Sequence, residues 1–254
     1  MSKLFDLSGR VAVITGSTKG MGLEMARALG QQGARVVVSG RDSAVSERVA
    51  ATLKAEGIDA TGIACDIADL VSVRAFADKV LATFGRVDAL LLNAAASGVA
   101  GSMLEQGEKE FDDVMAGNVR GNFVLVNALA PQMIERRDGS IVFMSSIAGR
   151  RGSAFLPLYS VSKGAIDAVM RNFALTLAPH NINVNSINPG PVRTDFSRDA
   201  LWGDPEREKF LSGAIPMRRI AEASDVAGLA VLLASPAGRY ITGQIIGLDG
   251  GATA

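Results

Sequence analysis

The sequence is poor in metal-binding and disulfide-forming residues, with one cysteine and one histidine among 254 residues. Because Cys65 is the single cysteine, an internal disulfide is impossible, and one Cys with one His is too few for a structural zinc site. Cys65 itself is interpreted as a small packing residue at a strand end. We therefore expect no metal.

Long apolar runs are also missing. No stretch of eighteen apolar residues occurs, which predicts that no helix spans a membrane. The first residues, Met1–Asp6, hold no long apolar segment and predict no signal peptide. These absences predict a cytoplasmic protein.

Neither sign of charge is in excess. Lys and Arg total 26, as do Asp and Glu, and no long run of one sign occurs. This balance argues against nucleic acid or an anionic membrane as the main partner. Hydrophobic residues make up 48% of the chain, which suffices for the core of one large α/β domain.

Short apolar segments rich in β-branched residues alternate with amphipathic segments throughout the chain. Continuous apolar strands are typical of a sheet covered on both faces, and the alternation predicts helices on both sides of it. We therefore predict an α/β fold, a single doubly wound Rossmann-type domain over residues 1–254 with a parallel seven-stranded sheet. The predicted strands are Val11–Thr15, Arg35–Ser39, Ala60–Ala64, Ala89–Asn93, Ser140–Ser145, Asn183–Asn188 and Gln244–Leu248, and the predicted helices are Met21–Gln32, Ser43–Glu56, Leu70–Phe84, Glu108–Arg136, Tyr159–Leu177 and Ser224–Leu233.

The segment at about 193–216 breaks this pattern. It is charged and contains Trp202 and Pro205. We predict that it forms a flap over a cleft rather than an element of the sheet.

A glycine-rich segment, residues 16–22, follows the first predicted strand and precedes the first predicted helix. Its glycines allow a tight turn, and the helix N-terminus offers free N–H groups to a phosphate. A turn that only packs helix against strand is the alternative, but ligands of open α/β sheets bind beyond the carboxyl ends of the strands. We predict that this glycine loop binds a dinucleotide pyrophosphate through Gly16, Ser17, Thr18, Lys19, Gly20, Met21 and Gly22.

The end of the second strand indicates which dinucleotide binds. A protein that binds NAD usually has a carboxylate there for the ribose 2′-hydroxyl, whereas this chain has Gly40 followed by Arg41. Lys19 is expected nearby, and two cations suit a 2′-phosphate. We therefore predict NADP(H) as the preferred cofactor, with NAD(H) as the alternative if Asp42 turns inward.

Tyr159 and Lys163 are four residues apart at the start of a predicted helix, so they share one helical face. An unperturbed tyrosine has a pKa of about 10. A cation about 4 Å away contributes about 4 kcal/mol at an effective dielectric near 20, or roughly three pKa units. The pair predicts a tyrosine that exchanges protons near pH 7, against the simpler interpretation of a half-buried Tyr beside a solvated Lys.

Six motifs occur in order along the chain: Thr15-Gly16-x-x-x-Gly20-x-Gly22, Asn93-Ala94, Asn118, Ser146, Tyr159-x-x-x-Lys163 and Asn188-Pro189-Gly190. Through them the chain resembles the classical short-chain dehydrogenase/reductase (SDR) family over residues 9–251. Within that family it most resembles the NADPH-dependent carbonyl and retinal reductase branch, through residues 93–95, 194–198 and 201–202.

This resemblance implies four catalytic residues. Ser146 would hydrogen-bond the carbonyl oxygen of the substrate, and Tyr159 would give the proton. Lys163 would lower the tyrosine pKa and hold the nicotinamide ribose, and Asn118 would hold a water that leads to solvent. Ser145 is the alternative to Ser146, and Asn118 is otherwise a polar residue that interrupts a long helix.

The resemblance also implies further cofactor contacts, and the chain departs from the family pattern beside them. The family commonly has Asn and Gly where this chain has Leu92 and Ala95, and Ala95 is expected to narrow the substrate mouth. The implied contacts are Asp66 and Ile67 at the adenine, Asn93 and Ala94 near the ribose, Pro189, Gly190, Val192 and Thr194 over the nicotinamide, and again Tyr159 and Lys163.

By resemblance, the expected function is NADPH-dependent reduction of a ketone or dicarbonyl, with a small-molecule carbonyl substrate as the partner. The alternatives are an NAD-dependent secondary-alcohol dehydrogenase, a 3-oxoacyl reductase, and a cofactor-binding sensor or scaffold without activity. Apolar residues such as Phe155, Phe196 and Trp202 either line a substrate pocket or pack between subunits. The likeness of residues 243–251 to the edge strand of the family predicts a homotetramer.

Overall fold

The computed structural model describes residues 3–254, with side-chain detail for all of them except residues 199 and 200. Seven parallel strands form one sheet in the order β3-β2-β1-β4-β5-β6-β9, and β7 pairs with β8 in a separate two-stranded sheet. The strands are β1 Val11–Ile14, β2 Arg35–Val38, β3 Ala60–Gly62, β4 Ala89–Leu92, β5 Gly139–Met144, β6 Ile182–Pro189, β7 Val192–Arg193, β8 Ala221–Glu222 and β9 Ile245–Leu248.

Helices cover both faces of the large sheet, so that β1, β4, β5 and β6 are buried along their whole length. One core cluster lies on the side of α3, α5 and α7, and the other lies on the side of α1, α2 and α9. The helices are α1 Gly20–Gln31, α2 Ser43–Ala55, α3 Leu70–Phe84, α4 Glu108–Met115, α5 Gly121–Arg136, α6 Ala148–Arg151, α7 Pro157–Leu177, α8 Pro205–Ala214 and α9 Ala227–Ala234.

The predicted fold is confirmed, and each predicted strand is present with its ends within two residues. The long predicted helix Glu108–Arg136 is interrupted, because a π-helical turn at Ala116–Arg120 separates α4 from α5. A π turn holds one extra residue, which leaves no signal in the apolar periodicity. The last predicted helix begins as a 3-10 turn at Ala223–Val226 before α9.

The prediction that the 193–216 segment contains no sheet element is wrong at its first residue. Arg193 pairs with Glu222 in the two-stranded sheet. A two-residue strand whose partner is this far along the chain has no periodicity to detect. The segment also contains α8, which begins after Asp204, whose Oδ1 accepts from the N–H of Arg207 at 2.9 Å.

A buried carboxylate fastens the sheet at the amino ends of its strands. Asp88 is fully buried, and its Oδ2 accepts from the N–H of Val11 at 2.8 Å. Nε of Arg86 also donates to both carboxylate oxygens, at 3.1 and 3.0 Å. This cluster lies at the end of the sheet opposite to the glycine loop.

Within residues 3–254, no helix is both long and apolar enough to cross a membrane. In the same range, no group of three or more His, Cys, Asp or Glu side chains has the arrangement of a metal site.

Candidate active site

The glycine loop forms a tight turn between β1 and α1. Gly16 and Gly20 have φ of +63° and +57°, in the left-handed region that glycine tolerates. At Gly22, a Cβ atom would lie 2.4 Å from the carbonyl oxygen of Gly16, so any side chain there would fill the turn. The N-cap of α1, Lys19, makes no side-chain capping bond, which leaves the first N–H groups of the helix available to an anion.

The loop after β4 is fastened to the glycine loop. Nδ2 of Asn93 donates to the carbonyls of Thr15 and Gly16, at 3.0 and 2.8 Å. The N–H groups of Asn93 and Ala94 donate to Thr15 Oγ1 at 3.0 and 3.1 Å. Asn93 and Ala94 therefore form one rigid surface with the glycine loop, as a shared cofactor site requires. Ser17 is also structural, because its hydroxyl donates to Ile14 O at 2.7 Å.

The residues predicted to contact the cofactor phosphate lie at the end of β2 and in the glycine loop. A Cβ at Gly40 would lie 2.8 Å from Thr18 Cγ2, so this position has no room for a carboxylate unless Thr18 moves. Asp42 does not turn inward, because its Oδ1 caps α2 by accepting from the N–H of Val45 at 3.1 Å. Arg41 is exposed at the same corner. Lys19 is also exposed and forms a 3.2 Å ion pair with Asp195.

The loop after β3 lies beside this corner, since the N–H of Cys65 donates to Gly40 O at 2.8 Å. Asp66 Oδ1 accepts from the N–H of Ala68 at 3.0 Å. Ile67 supports α5, because a Cβ at Gly121 would lie 1.8 Å from Ile67 O. Burial raises the pKa of the Cys65 thiol to about 12, which leaves it unsuited to act as a nucleophile.

Ser146 and Tyr159 form the centre of the candidate site. The Ser146 side chain lowers the pKa of the Tyr159 phenol, and Ser146 Oγ accepts from the N–H of Ala148 at 3.1 Å. Ser145 points elsewhere, because its buried hydroxyl donates to Lys163 O at 3.0 Å. The structure thus turns Ser146, and not its neighbour, toward the phenol. The Phe196 ring of the flap lies 6.1 Å from the Tyr159 ring, centroid to centroid.

Lys163 is buried behind Tyr159, with its side-chain nitrogen donating to Met144 O at 2.7 Å and lying 5.2 Å from the Tyr159 ring centroid. Burial lowers the pKa of Lys163 to about 8. Burial also raises the pKa of Tyr159 to about 12, while the Ser146 hydrogen bond acts in the opposite direction. The predicted lowering of the tyrosine pKa by Lys163 is therefore wrong for this structure, because desolvation of the phenolate dominates.

Asn118 lies in the π-helical turn and connects two parts of the site. Its Oδ1 accepts from the N–H of Ala96 at 2.7 Å, and its Nδ2 donates to Ala96 O and to Ser162 Oγ, each at 2.9 Å. Nδ2 of Asn122 donates to the Asn118 carbonyl at 2.8 Å. The Asn118 side chain thus connects the loop after β4 to Ser162 of α7, the residue that precedes Lys163.

The segment after β6 closes the site on the side of the flap. The N–H of Ile147 donates to Pro189 O at 3.1 Å, which binds this segment to the loop of Ser146. A Cβ at Gly190 would lie 2.9 Å from Asp249 Cβ, and a Cβ at Gly20 would lie 3.4 Å from Thr194 Cγ2. Thr194 therefore lies opposite the start of α1. Val192 is buried, at 5% exposure.

Two features of the site were not predicted from the sequence. Ser162, which accepts from Asn118, is a common residue without a chemical signature of its own. Asp167 is buried one turn after Lys163 and is bound by Ser186 and Asn188. Its spacing of four residues from Lys163 is a signal from which it could have been predicted.

Comparisons with known proteins agree with this geometry. Residues 16–253 match the family described as enoyl-(acyl carrier protein) reductase. The chain is 38% identical over 251 residues to dehydrogenase/reductase SDR family member 4 of Bos taurus, which covers 99% of this chain and 90% of the relative. It is 36% identical over 247 residues to the human protein named dehydrogenase/reductase SDR family member 2, mitochondrial, with 97% and 88% covered.

Solved structures are similar over almost the whole chain. A gluconate 5-dehydrogenase from Burkholderia cenocepacia, in complex with NADP and tartrate, has a TM-score of 0.94 and 30% identity, with 99% of this chain and 98% of that chain covered. A 3-oxoacyl-(acyl-carrier-protein) reductase from Agrobacterium tumefaciens, with NADP bound, has a TM-score of 0.92 and 27% identity, with 97% and 95% covered. With its sheet order, its glycine loop and its Ser146–Tyr159–Lys163 cluster, this chain belongs to the short-chain dehydrogenase/reductase family of oxidoreductases.

Proposed function

We propose that this protein is an NADPH-dependent oxidoreductase that reduces a ketone or dicarbonyl to a secondary alcohol. The observation that carries the proposal is the buried Lys163, whose side-chain nitrogen lies 5.2 Å from the centroid of the Tyr159 ring, with Ser146 acting on the same phenol. Bound NADPH would supply the hydride. The residues of this chain would orient the carbonyl, stabilise the charge that develops on its oxygen, and provide a proton.

The protonation states favour reduction over oxidation. With a pKa of about 12, Tyr159 holds its proton at neutral pH and is ready to give it to an alkoxide. Ser146 Oγ accepts from the N–H of Ala148, so its O–H is the donor, toward Tyr159 in the free protein, and it would donate to the carbonyl oxygen of a bound substrate. With a pKa of about 8, Lys163 is charged in roughly nine molecules of ten at pH 7, and its field favours the developing negative charge.

The residues around the glycine loop fit NADP better than NAD. The free N–H groups at the start of α1 would hold the pyrophosphate. Arg41 is exposed beyond β2, where a 2′-phosphate would lie, and Asp42 is committed to the cap of α2. Lys19 is exposed in the glycine loop and would have to exchange its ion pair with Asp195 for the phosphate. Among the remaining predicted contacts, Asp66 and Ile67 would meet the adenine, and Thr194 would meet the nicotinamide side. Similar solved structures bind NADP.

The flap, residues 193–216, would cover the substrate. Phe196 beside Tyr159 and Phe155, at 54% exposure, would give the pocket an apolar wall that suits an aryl or alkyl ketone. Reduction of a 3-oxoacyl thioester is a second candidate, because the chain is similar to a 3-oxoacyl-(acyl-carrier-protein) reductase over nearly its whole length. Assembly as a homotetramer in the cytoplasm remains part of the proposal.

Initial rates of NADPH and NADH oxidation with ketones, diketones and 3-oxoacyl thioesters test this function. We expect turnover of at least one ketone or diketone, faster with NADPH than with NADH. Faster turnover of thioesters would move the assignment to the second candidate. Bound NADPH without turnover of any carbonyl would contradict the proposal and favour a cofactor-binding sensor.

A further inference from the structure

Asp167 is a buried carboxylate that the proposed catalytic roles leave unused. It lies on α7 one turn after Lys163, and the residue is 4% exposed. Burial of a carboxylate is costly unless hydrogen bonds and an opposite charge compensate it. The partners of Asp167 therefore indicate what it does in the fold.

Two residues of β6 hold the carboxylate. Ser186 Oγ lies 2.9 Å from Asp167 Oδ1, to which it donates, and Asn188 Nδ2 donates to Oδ2 at 3.1 Å. Ser186 and Asn188 are both fully buried, and Ser186 Oγ also lies 2.8 Å from Asn188 Oδ1, so its single proton is shared between this amide oxygen and Asp167 Oδ1. Asn188 Nδ2 is the donor to Oδ2, and the two contacts together hold the carboxylate.

Asn188 continues this network to the proposed catalytic serine. Its Nδ2 also donates to the carbonyl of Ser146 at 3.2 Å. The two protons of one amide group therefore join the carboxylate of Asp167 to the backbone of Ser146. Any shift of the carboxylate would move the residue that hydrogen-bonds Tyr159.

The carboxylate also acts on Lys163. Its negative charge raises the pKa of Lys163 against the larger lowering caused by burial. Tyr159 is the other titratable group that faces Lys163, at 5.2 Å from its ring centroid, and it is neutral below pH 10 because its pKa is about 12. The ammonium is held by Met144 O, and Asp167 on the same helix is the negative charge that acts on it.

We propose that Asp167 is a positioning residue, whose buried carboxylate fixes the backbone of Ser146 through Asn188 and places a negative charge one helical turn from Lys163. It does not touch the substrate or cofactor. The importance of Asp167 for turnover rests on the function proposed above. The effect of Asp167 on Lys163 can be measured without turnover.

The direct test is an NMR titration of the protein labelled with ¹³C at lysine Cε, with the Lys163 signal assigned from Lys163→Met. We expect the wild-type signal to titrate near pH 8. In Asp167→Asn the midpoint should fall by about one pH unit or more, because the ammonium loses its counter-charge. Asp88→Asn is the matched control, since it neutralises another buried carboxylate at the far end of the sheet and should leave the midpoint unchanged. A midpoint in Asp167→Asn equal to that of the wild type would overturn the proposal.

Kinetic measurements separate the effect of the Asp167 charge on Lys163 from the effect of its hydrogen bonds through Asn188 on Ser146. With a carbonyl that the wild type reduces, kcat of Asp167→Asn should fall about tenfold or more, and its decline at high pH should begin at lower pH. Asn188→Ala should lower kcat without moving that decline, because the charge remains. Asp167→Glu should keep the wild-type pH dependence. Equal pH profiles for Asp167→Asn and Asp88→Asn would reduce Asp167 to a structural residue.

The two proposals can fail separately. If the wild type reduces no carbonyl, the proposed function is wrong, while the lysine titration still decides the role of Asp167. If Asp167→Asn does not fold, Asp167→Leu removes the same charge without adding an unpaired amide, and the same midpoint shift is expected.

Discussion

Replacement of Lys163 by methionine should stabilise the folded protein at neutral pH while abolishing turnover. The lysine has an ordinary pKa of 10.5 but a pKa of about 8 in the folded state, where burial disfavours the ammonium. Below pH 8 the folded state therefore carries the full free-energy cost of burying the charged side chain of Lys163. The penalty fades as the pH rises from 8 to 10.5, because the unfolded chain then binds more protons than the folded one.

The size of the effect follows from these two values. At about 1.4 kcal/mol per pKa unit, the difference between 10.5 and about 8 corresponds to about 3 kcal/mol at pH 7. Methionine removes this penalty but also removes the hydrogen bond to Met144 O, which costs about 1 kcal/mol at every pH. The variant should therefore be about 2 kcal/mol more stable than the wild type at pH 7, and about 1 kcal/mol less stable at pH 10.5.

Urea unfolding of both proteins at the two pH values, at one protein concentration, measures this change of sign. At pH 7 the gain should also raise the Tm by about 4–8 °C for a chain of this length. Lys79→Met is the control, because Lys79 is exposed on α3 and should change stability by less than about 0.5 kcal/mol at either pH. A Lys163→Met protein that is less stable than the wild type at both pH values would refute the reasoning from burial.

Three further predictions concern the cofactor, the proton and the sheet. Arg41→Ala should lower kcat/KM for NADPH about 10–100-fold and leave the value for NADH nearly unchanged, since about 1.5–3 kcal/mol is expected from a charged hydrogen bond. Arg48→Ala is the control, because Arg48 is exposed on α2, the helix that follows Arg41, and its loss should leave both values unchanged. An equal loss of kcat/KM with both cofactors in Arg41→Ala would contradict a phosphate contact. Tyr159→Phe should bind NADPH normally in a fluorescence titration but lose about 100-fold or more of kcat, and undiminished turnover would exclude it as the proton donor. Asp88→Ala should lose about 1–3 kcal/mol in urea unfolding, because it leaves the buried N–H of Val11 without its acceptor, and an unchanged free energy of unfolding would show that the cluster contributes little.

The sequence alone was sufficient for the sheet and for the place of the glycine loop in it, because both depend on local patterns. Buried parallel strands such as β1 and β4 consist of continuous apolar residues, and the glycine loop follows the carboxyl end of the first strand. The spacing of Tyr159 and Lys163 places both on one face of α7. These inferences need only a few residues at a time.

What the sequence did not show depends on burial and on distant partners. The shift of the Tyr159 pKa has the opposite sign to the prediction, because the estimate from spacing contained the charge of Lys163 but not the desolvation of the phenol. The commitment of Asp42 to a helix cap is decided by the start of α2 rather than by the cofactor. The role of Asp167 depends on Ser186, nineteen residues away along the chain.

The polar residues of β6 show how one strand serves stability on one face and the site on the other. Because side chains alternate along a strand, Asn183 and Asn185 share a face, and their Nδ2 atoms donate to Leu233 O at 3.1 Å and to Ile241 O at 2.6 Å. Ser186 and Asn188 lie on the opposite face and hold Asp167. The first pair fixes the segments around α9, and the second pair fixes α7 and the loop of Ser146. A polar substitution in a strand buried on both faces would ordinarily be costly, so the parity of each position decides whether its polar group supports the fold or the proposed chemistry.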